Sequence, residues 1–238
     1  MKITVWNEFV HEKTDPKCAE IYPNGIHNCI KDFLLANGFD DVKTATLEEP
    51  EHGLTQEVLD NTDVLFWWGH MRHQDVSDEV VERVFKRVMN GMGLVVLHSG
   101  HGSKIFHKLM GTVSVNLRWR ENDETEIMWN INPAHPIMQG VGTNIVIPHE
   151  ETYGEHFQTA KPDDVLMISW FTGGEVFRSA CTFTRGLGKI FYFKPGHETY
   201  PIYHMPEVQH VLCNAAKWAY TPDPAKIQYG HFPEPMMK

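Results

Sequence analysis

Short apolar runs rich in β-branched residues alternate with stretches of helical periodicity along the first half of this chain. That alternation confines it to βαβ units and a parallel sheet covered by helices. KITVW at residues 2–6 reads as a strand. Ile26, Ile30, Phe33 and Leu34 recur at helical spacing over residues 26–37 before Gly38, and residues 42–46 read as a second strand. DVLFWW at residues 63–68 is a buried-strand run. It leads to a helix capped by Ser77, with Asp78 and Glu79 in its first turn, that runs to Asn90 and carries Val80, Val81, Val84 and Val88 on one face. A strand at residues 94–97 enters His98-Ser99-Gly100-His101-Gly102, followed by an apolar-periodic helix around residues 105–110.

The pattern loosens from Gly111 to Glu155, where Pro133, Pro136 and Pro148 interrupt short runs. This region, about 111–160, reads as an insertion of loops and small strands within a single domain spanning 1–238. Strand character returns at residues 165–170, 175–178, 180–184 and 189–193, the last three suiting an antiparallel extension. Pro206 opens a final helix to Tyr220, and the proline-containing tail 221–238 is expected to run extended over the surface.

Charge and cysteine content narrow the partners. The chain has 238 residues and a formal net charge of −10, which argues against capture of nucleic acid or an anionic membrane. Its four cysteines, at 18, 29, 181 and 213, form no CxxC pair, so reduced thiols are expected. Asn7 and Glu8 interrupt the N-terminal run too early for a signal peptide, and no stretch approaches the ~18 apolar residues of a membrane span. A cytoplasmic protein follows, and a homo-oligomer is expected because closed symmetric assemblies are common.

In an open parallel sheet, ligands bind beyond the carboxyl ends of the strands. The residues in those places are Asn7 and Glu8, then His70, Arg72 and His73, then His98 and Ser99, then His197 and Glu198. The content of 15 histidines gives weight to that convergence, since imidazole both ligates metals and titrates near neutrality. His70, His98 and His197 with Glu8 would suit a divalent ion, zinc first, with an open position. Arg72, His73, Ser99, His101 and Glu198 are candidates to bind substrate. The turn VVLHSGHG at residues 95–102 is similar to a nucleophile elbow without the G-x-S-x-G pattern. Ser99 there reads as a helix cap or as a nucleophile. HEETYGEH at residues 149–156 supplies Glu151 and Tyr153 for acid–base work, or forms a solvated acidic loop. Trp67 and Trp68 read as core, while Trp119 and Trp129 suit either core or a stacking surface for a sugar ring.

The segments VWNEF…HEK (5–13), DVLFWWGHMRH (63–73), GMGLVVLHSGH (91–101), LRWRE (117–121), ETYGE (151–155), ISWFTGGEVFRSAC (168–181) and GKIFYFKPGHETYP (188–201) resemble ThuA-like proteins, the trehalose-utilisation family. The resemblance runs to about Trp218. It implies an α/β fold like that of class I glutamine amidotransferases, a flavodoxin-like doubly wound sheet, mostly parallel, with helices on both faces. His98 stands where such enzymes place their cysteine, and His197 lies near their histidine, so thioester chemistry on glutamine is not expected. The family implies disaccharide utilisation, with a keto-glycoside as a substrate whose acidic C–H makes elimination, hydration or hydrolysis tractable. His98, His197, Glu151 and Tyr153 are the catalytic candidates. The alternative is a sugar-binding or regulatory module that has kept the scaffold and lost its chemistry.

Overall fold

Every residue of the two central runs VLFWW and GLVVL is buried, and their side chains alternate between two separate cores. Leu65, Trp67, Leu94 and Val96 face one side of the sheet; Phe66, Trp68, Val95 and Leu97 face the other. A strand covered on both faces has no polar side to show, which is why these runs lack polar alternation.

The computed structural model describes residues 1–112, 116–222, 230, 231 and 237. Among the described residues the strands are β1 (Lys2–Asn7), β2 (Asp41–Thr46), β3 (Val64–Trp68), β4 (Gly93–Leu97), β5 (Arg118–Asn130), β6 (Asn144–Gly154), β7 (Asp164–Phe171), β8 (Val176–Arg185) and β9 (Gly188–Phe193). The helices are α1 (His11–Thr14), α2 (Pro16–Ile21), α3 (Ile26–Ala36), α4 (Gln56–Asp60), α5 (Asp78–Met89), α6 (Lys104–Met110) and α7 (Pro206–Ala219). The strands form one nine-stranded sheet in the order β2-β1-β3-β4-β9-β8-β7-β5-β6. Its first five members are mutually parallel, and the remaining pairings are antiparallel. Helices α3 and α7 contribute to one core and α5 and α6 to the other. The flavodoxin-like parallel half and the antiparallel extension are therefore as expected.

The region 111–155 differs from its reading as loops and small strands. It contains two long strands, β5 of 13 residues and β6 of 11, which complete the sheet. Their sequence hides them because most of RWRENDETEIMWN faces solvent or polar neighbours and gives no apolar alternation. Pro148 sits inside β6 close to an irregular register between the strands, and β6 is the sheet edge, where a missing N–H is tolerated. The runs 175–178 and 180–184, read as two strands, fall in the single β8, which spans Val176–Arg185. The expected extended tail falls mostly outside the described residues. Among the described residues no helix is long and apolar enough to cross a membrane.

Trp67 stacks on Trp6 with ring centroids 4.0 Å apart and is 1% exposed, whereas Trp129 on the outer face of β5 is 45% exposed. Replacement Trp67→Ala is expected to cost about 3–5 kcal/mol in urea unfolding, and Trp129→Ala under about 1 kcal/mol. Equal losses would show that the two faces do not differ in packing as described.

Candidate functional site

The carboxyl ends of β1, β3, β4 and β9 bring Glu8, His70, His98, His197 and Glu198 to one edge, and the C-terminal end of β6 adds Glu151 and Tyr153. A pocket of about 390 Å³ opens there, its walls including His70, Ser99, Glu151, Tyr153, His197 and Trp119, with His98 and Glu198 buried behind them.

Glu8 takes a different part from the ligand role expected of it. Its buried carboxylate accepts the backbone N–H groups of His70 (2.9 Å), Met71 (3.2 Å) and Arg72 (2.9 Å), fixing the loop after β3. A carboxylate so engaged has three of its roughly four lone-pair sites occupied. Glu198, expected to touch substrate, joins His70, His98 and His197 instead: the ligand atoms of these four lie within 4.8 Å of one another. Arg72 also departs from expectation, because its exposed guanidinium is paired with Glu48 and Asp75, both at 2.5 Å, and does not line the pocket.

His98 sits at the elbow between β4 and the 3-10 turn His98–Gly102, with φ of +47°, a left-handed conformation that a non-glycine residue adopts at a cost. The imidazole is wholly buried. Its Nδ1–H donates to the carbonyl of Lys194 at 2.9 Å, which leaves the Nε2 lone pair facing Glu151 Oε2 at 3.2 Å. Neither of those two atoms has a hydrogen-bond partner among the described residues. Burial holds the His98 imidazole neutral and raises the Glu151 carboxyl above its ordinary range. The same cause lowers His197 and brings His70 down to about 4, while Glu198 is pushed up to about 8.

The remaining candidates divide. Tyr153 stacks on the His98 ring with centroids 5.4 Å apart, and its hydroxyl lies 3.1 Å from Ser99 Oγ. Ser99 is not the helix cap; Ser103 is, accepting from the N–H of Phe106. His73 and His101 both line the pocket, and Gly102 makes room for His73, since a Cβ there would stand 2.8 Å from its Nε2. His101 Nδ1–H donates to the His98 carbonyl at 3.2 Å. From the acidic run, Glu155 is paired with Arg178 and Glu150 accepts the N–H groups of Glu151 and Gly196, both at 2.9 Å.

Two residues escaped the sequence reading. Lys194 follows β9 directly, so the strand-end rule that found His197 also reaches it; its wholly buried ammonium donates to Glu126 at 2.9 Å and to the Glu151 carbonyl. His11 lies at the start of α1, beyond the first strand-end loop, with Nε2 3.3 Å from Glu198 Oε1. Its signal was its presence in the run VWNEF…HEK.

The sequence profile of the ThuA family, described as trehalose utilisation, matches residues 2–219. No curated protein matches the chain in sequence. Among solved structures, a ThuA-like protein of Parabacteroides merdae is 15% identical with a TM-score of 0.67, covering 92% of this chain and 89% of its own. A ThuA-like protein of Bacteroides uniformis is 15% identical with a TM-score of 0.65, covering 92% and 91%. A cytoplasmic protein of Salmonella typhimurium is 14% identical with a TM-score of 0.62, covering 93% and 100%. At these identities the likeness is one of fold.

The Lys194–Glu126 pair is buried on both sides, so removing one partner strands a charge. Lys194→Met is expected to destabilise the protein by about 3–5 kcal/mol, and adding Glu126→Gln to recover part of that loss. Chemical denaturation of the wild type and the two variants checks this, and a double variant no better than the single would contradict it.

Proposed function

The chain belongs to the ThuA family of trehalose-utilisation proteins, and on that premise we propose that it processes a trehalose-derived or related keto-glycoside in the pocket at the ends of β3, β4 and β9. The reaction class is elimination, hydration or hydrolysis beside the keto group. The observation that carries this reading is the pair His98 Nε2 and Glu151 Oε2, 3.2 Å apart, buried and without hydrogen-bond partners. An unpaired imidazole nitrogen beside a carboxyl of raised pKa is a fitting arrangement for moving a proton.

Within this reading Glu151 and His98 take and return the proton on the carbon next to the keto group. His197, 4% exposed and held by Thr199 Oγ1 at 2.8 Å, is placed to exchange a proton with the departing or attacking oxygen. The Tyr153 hydroxyl, next to Ser99, donates to oxygen as negative charge develops on it. Trp119 offers an exposed ring for the sugar face. Glutamine hydrolysis is disfavoured because the elbow holds an imidazole where a thiolate would be needed.

The donor set fits a divalent ion. His70, His98, His197 and Glu198 supply nitrogen and carboxylate oxygen within a small space, and two of their buried atoms, His98 Nε2 and Glu198 Oε2, lack hydrogen-bond partners among the described residues. Zinc is the leading candidate, and when bound it would supply a Lewis acid for the keto oxygen.

Incubating the protein with 3-keto-trehalose and following product by mass spectrometry tests the proposal. The wild type is expected to turn the compound over, and the double variant His98→Ala/His197→Ala to fall by more than about 100-fold. Unchanged turnover in the double variant would sink the assignment of these residues. Saturable binding of the sugar with no product would favour a binding module.

A further inference from the structure

Three ligand atoms at the edge of the site form a nearly equilateral triangle. His11 Nε2 and Glu198 Oε1 are 3.3 Å apart, His70 Nδ1 and Glu198 Oε1 are 3.5 Å apart, and the two histidine nitrogens are 3.4 Å apart. Charge-assisted hydrogen bonds between imidazole and carboxylate would draw these atoms to about 2.7–2.9 Å. Four donors placed tetrahedrally at the zinc–nitrogen distance stand about 3.3–3.4 Å from one another, as the geometry of a 2.0–2.1 Å bond requires. The triangle thus has the size of one face of a zinc coordination tetrahedron rather than of an ion-pair cluster.

We propose that a divalent ion of the zinc class is held by His11 Nε2, His70 Nδ1 and Glu198 Oε1, and that His98 and His197 stand beside it as acid–base groups rather than as ligands. The inference rests on the reading above that this pocket holds a metal, and it changes which residues do so.

Each corner is held in place. The backbone of His70 is pinned by the Glu8 carboxylate. The His11 ring packs edge-on against Trp68, with centroids 6.4 Å apart. Glu198 is 3% exposed, and its second oxygen has no hydrogen-bond partner among the described residues. A buried carboxyl with one oxygen between two imidazoles and the other without a hydrogen bond, 3.9 Å from His197 Nδ1, is a group that a bound cation would hold in its charged form. Two histidines and a carboxylate form a donor set suited to zinc, and to iron or manganese with it. His98 is already fixed by its bond to the Lys194 carbonyl, and its Nε2 stands 3.2 Å from Glu151 Oε2, although a ligand atom of its ring also lies within 4.8 Å of those of His70 and Glu198.

The test uses untagged full-length protein purified without chelator, its metal content measured by elemental analysis, and then the stripped protein titrated with zinc and with cobalt(II), whose visible spectrum reports its ligands. Wild type is expected to bind one equivalent. H11Q and H70Q should each weaken binding by more than about 100-fold and abolish the cobalt spectrum, while H98Q and H197Q keep the spectrum and lose no more than the roughly 10–100-fold that neighbouring groups cost. H11C, which restores a donor, should recover cobalt binding with a shifted spectrum, and near-ultraviolet circular dichroism checks that each variant is folded. A folded H11Q that binds like wild type, or an H98Q that loses the metal as H70Q does, would overturn this ligand assignment alone. Wild type that binds neither ion would overturn the metal in both readings.

Discussion

A single buried ammonium joins the two halves of this protein. Lys194 leaves β9 at the seam between the parallel sheet and its antiparallel extension, wholly removed from water. Charge in that position costs several kcal/mol unless it is paired and hydrogen-bonded. Its Nζ meets both needs through Glu126 of β5 and the Glu151 carbonyl of β6, so the extension must curl until those strands reach the end of β9. The Lys194 carbonyl then receives the His98 Nδ1–H, which sets the imidazole tautomer. One residue therefore governs the curvature of the sheet, the approach of Glu151 and the direction of the His98 lone pair.

Carboxylates serve the same end in the loops. Glu8 gathers three N–H groups after β3, and Glu150 joins Glu151 to Gly196, so the turns that carry His70 and His197 are fixed by buried carboxyl groups. Such loops are usually the mobile parts of an α/β protein. Here buried carboxyl groups tie their backbone down, the condition under which several histidines can be held close together.

The parallel half was legible because its physics is local: continuous apolar runs mark strands buried on both faces, and the strand-end rule then places His70, His98 and His197 together. What the sequence could not show is which atom a side chain spends on what. Glu8 and Arg72 occupy the expected loop, yet one holds backbone and the other pairs with Glu48 and Asp75 on the surface. The strands β5 and β6 were missed because their exposed faces are polar and Pro148 interrupts the pattern. Glu151 and Tyr153 were found from composition alone, with no hint of the fold that brings them over the elbow. His11 was overlooked because it belongs to a short helix rather than to a strand end.

The position of β9 has a consequence for how the chain is made. Among the described residues it is the last strand in chain order, yet it lies between β4 and β8 and is paired on both sides. A nascent chain that has emerged only as far as Arg185 carries two unsealed strand edges, the kind of surface that invites pairing with the wrong partner. Closure of the sheet and arrival of Lys194, His197 and Glu198 are then one event. A ribosomal product cut short before that strand would lack a sealed core and the Lys194–Glu198 end of the pocket together.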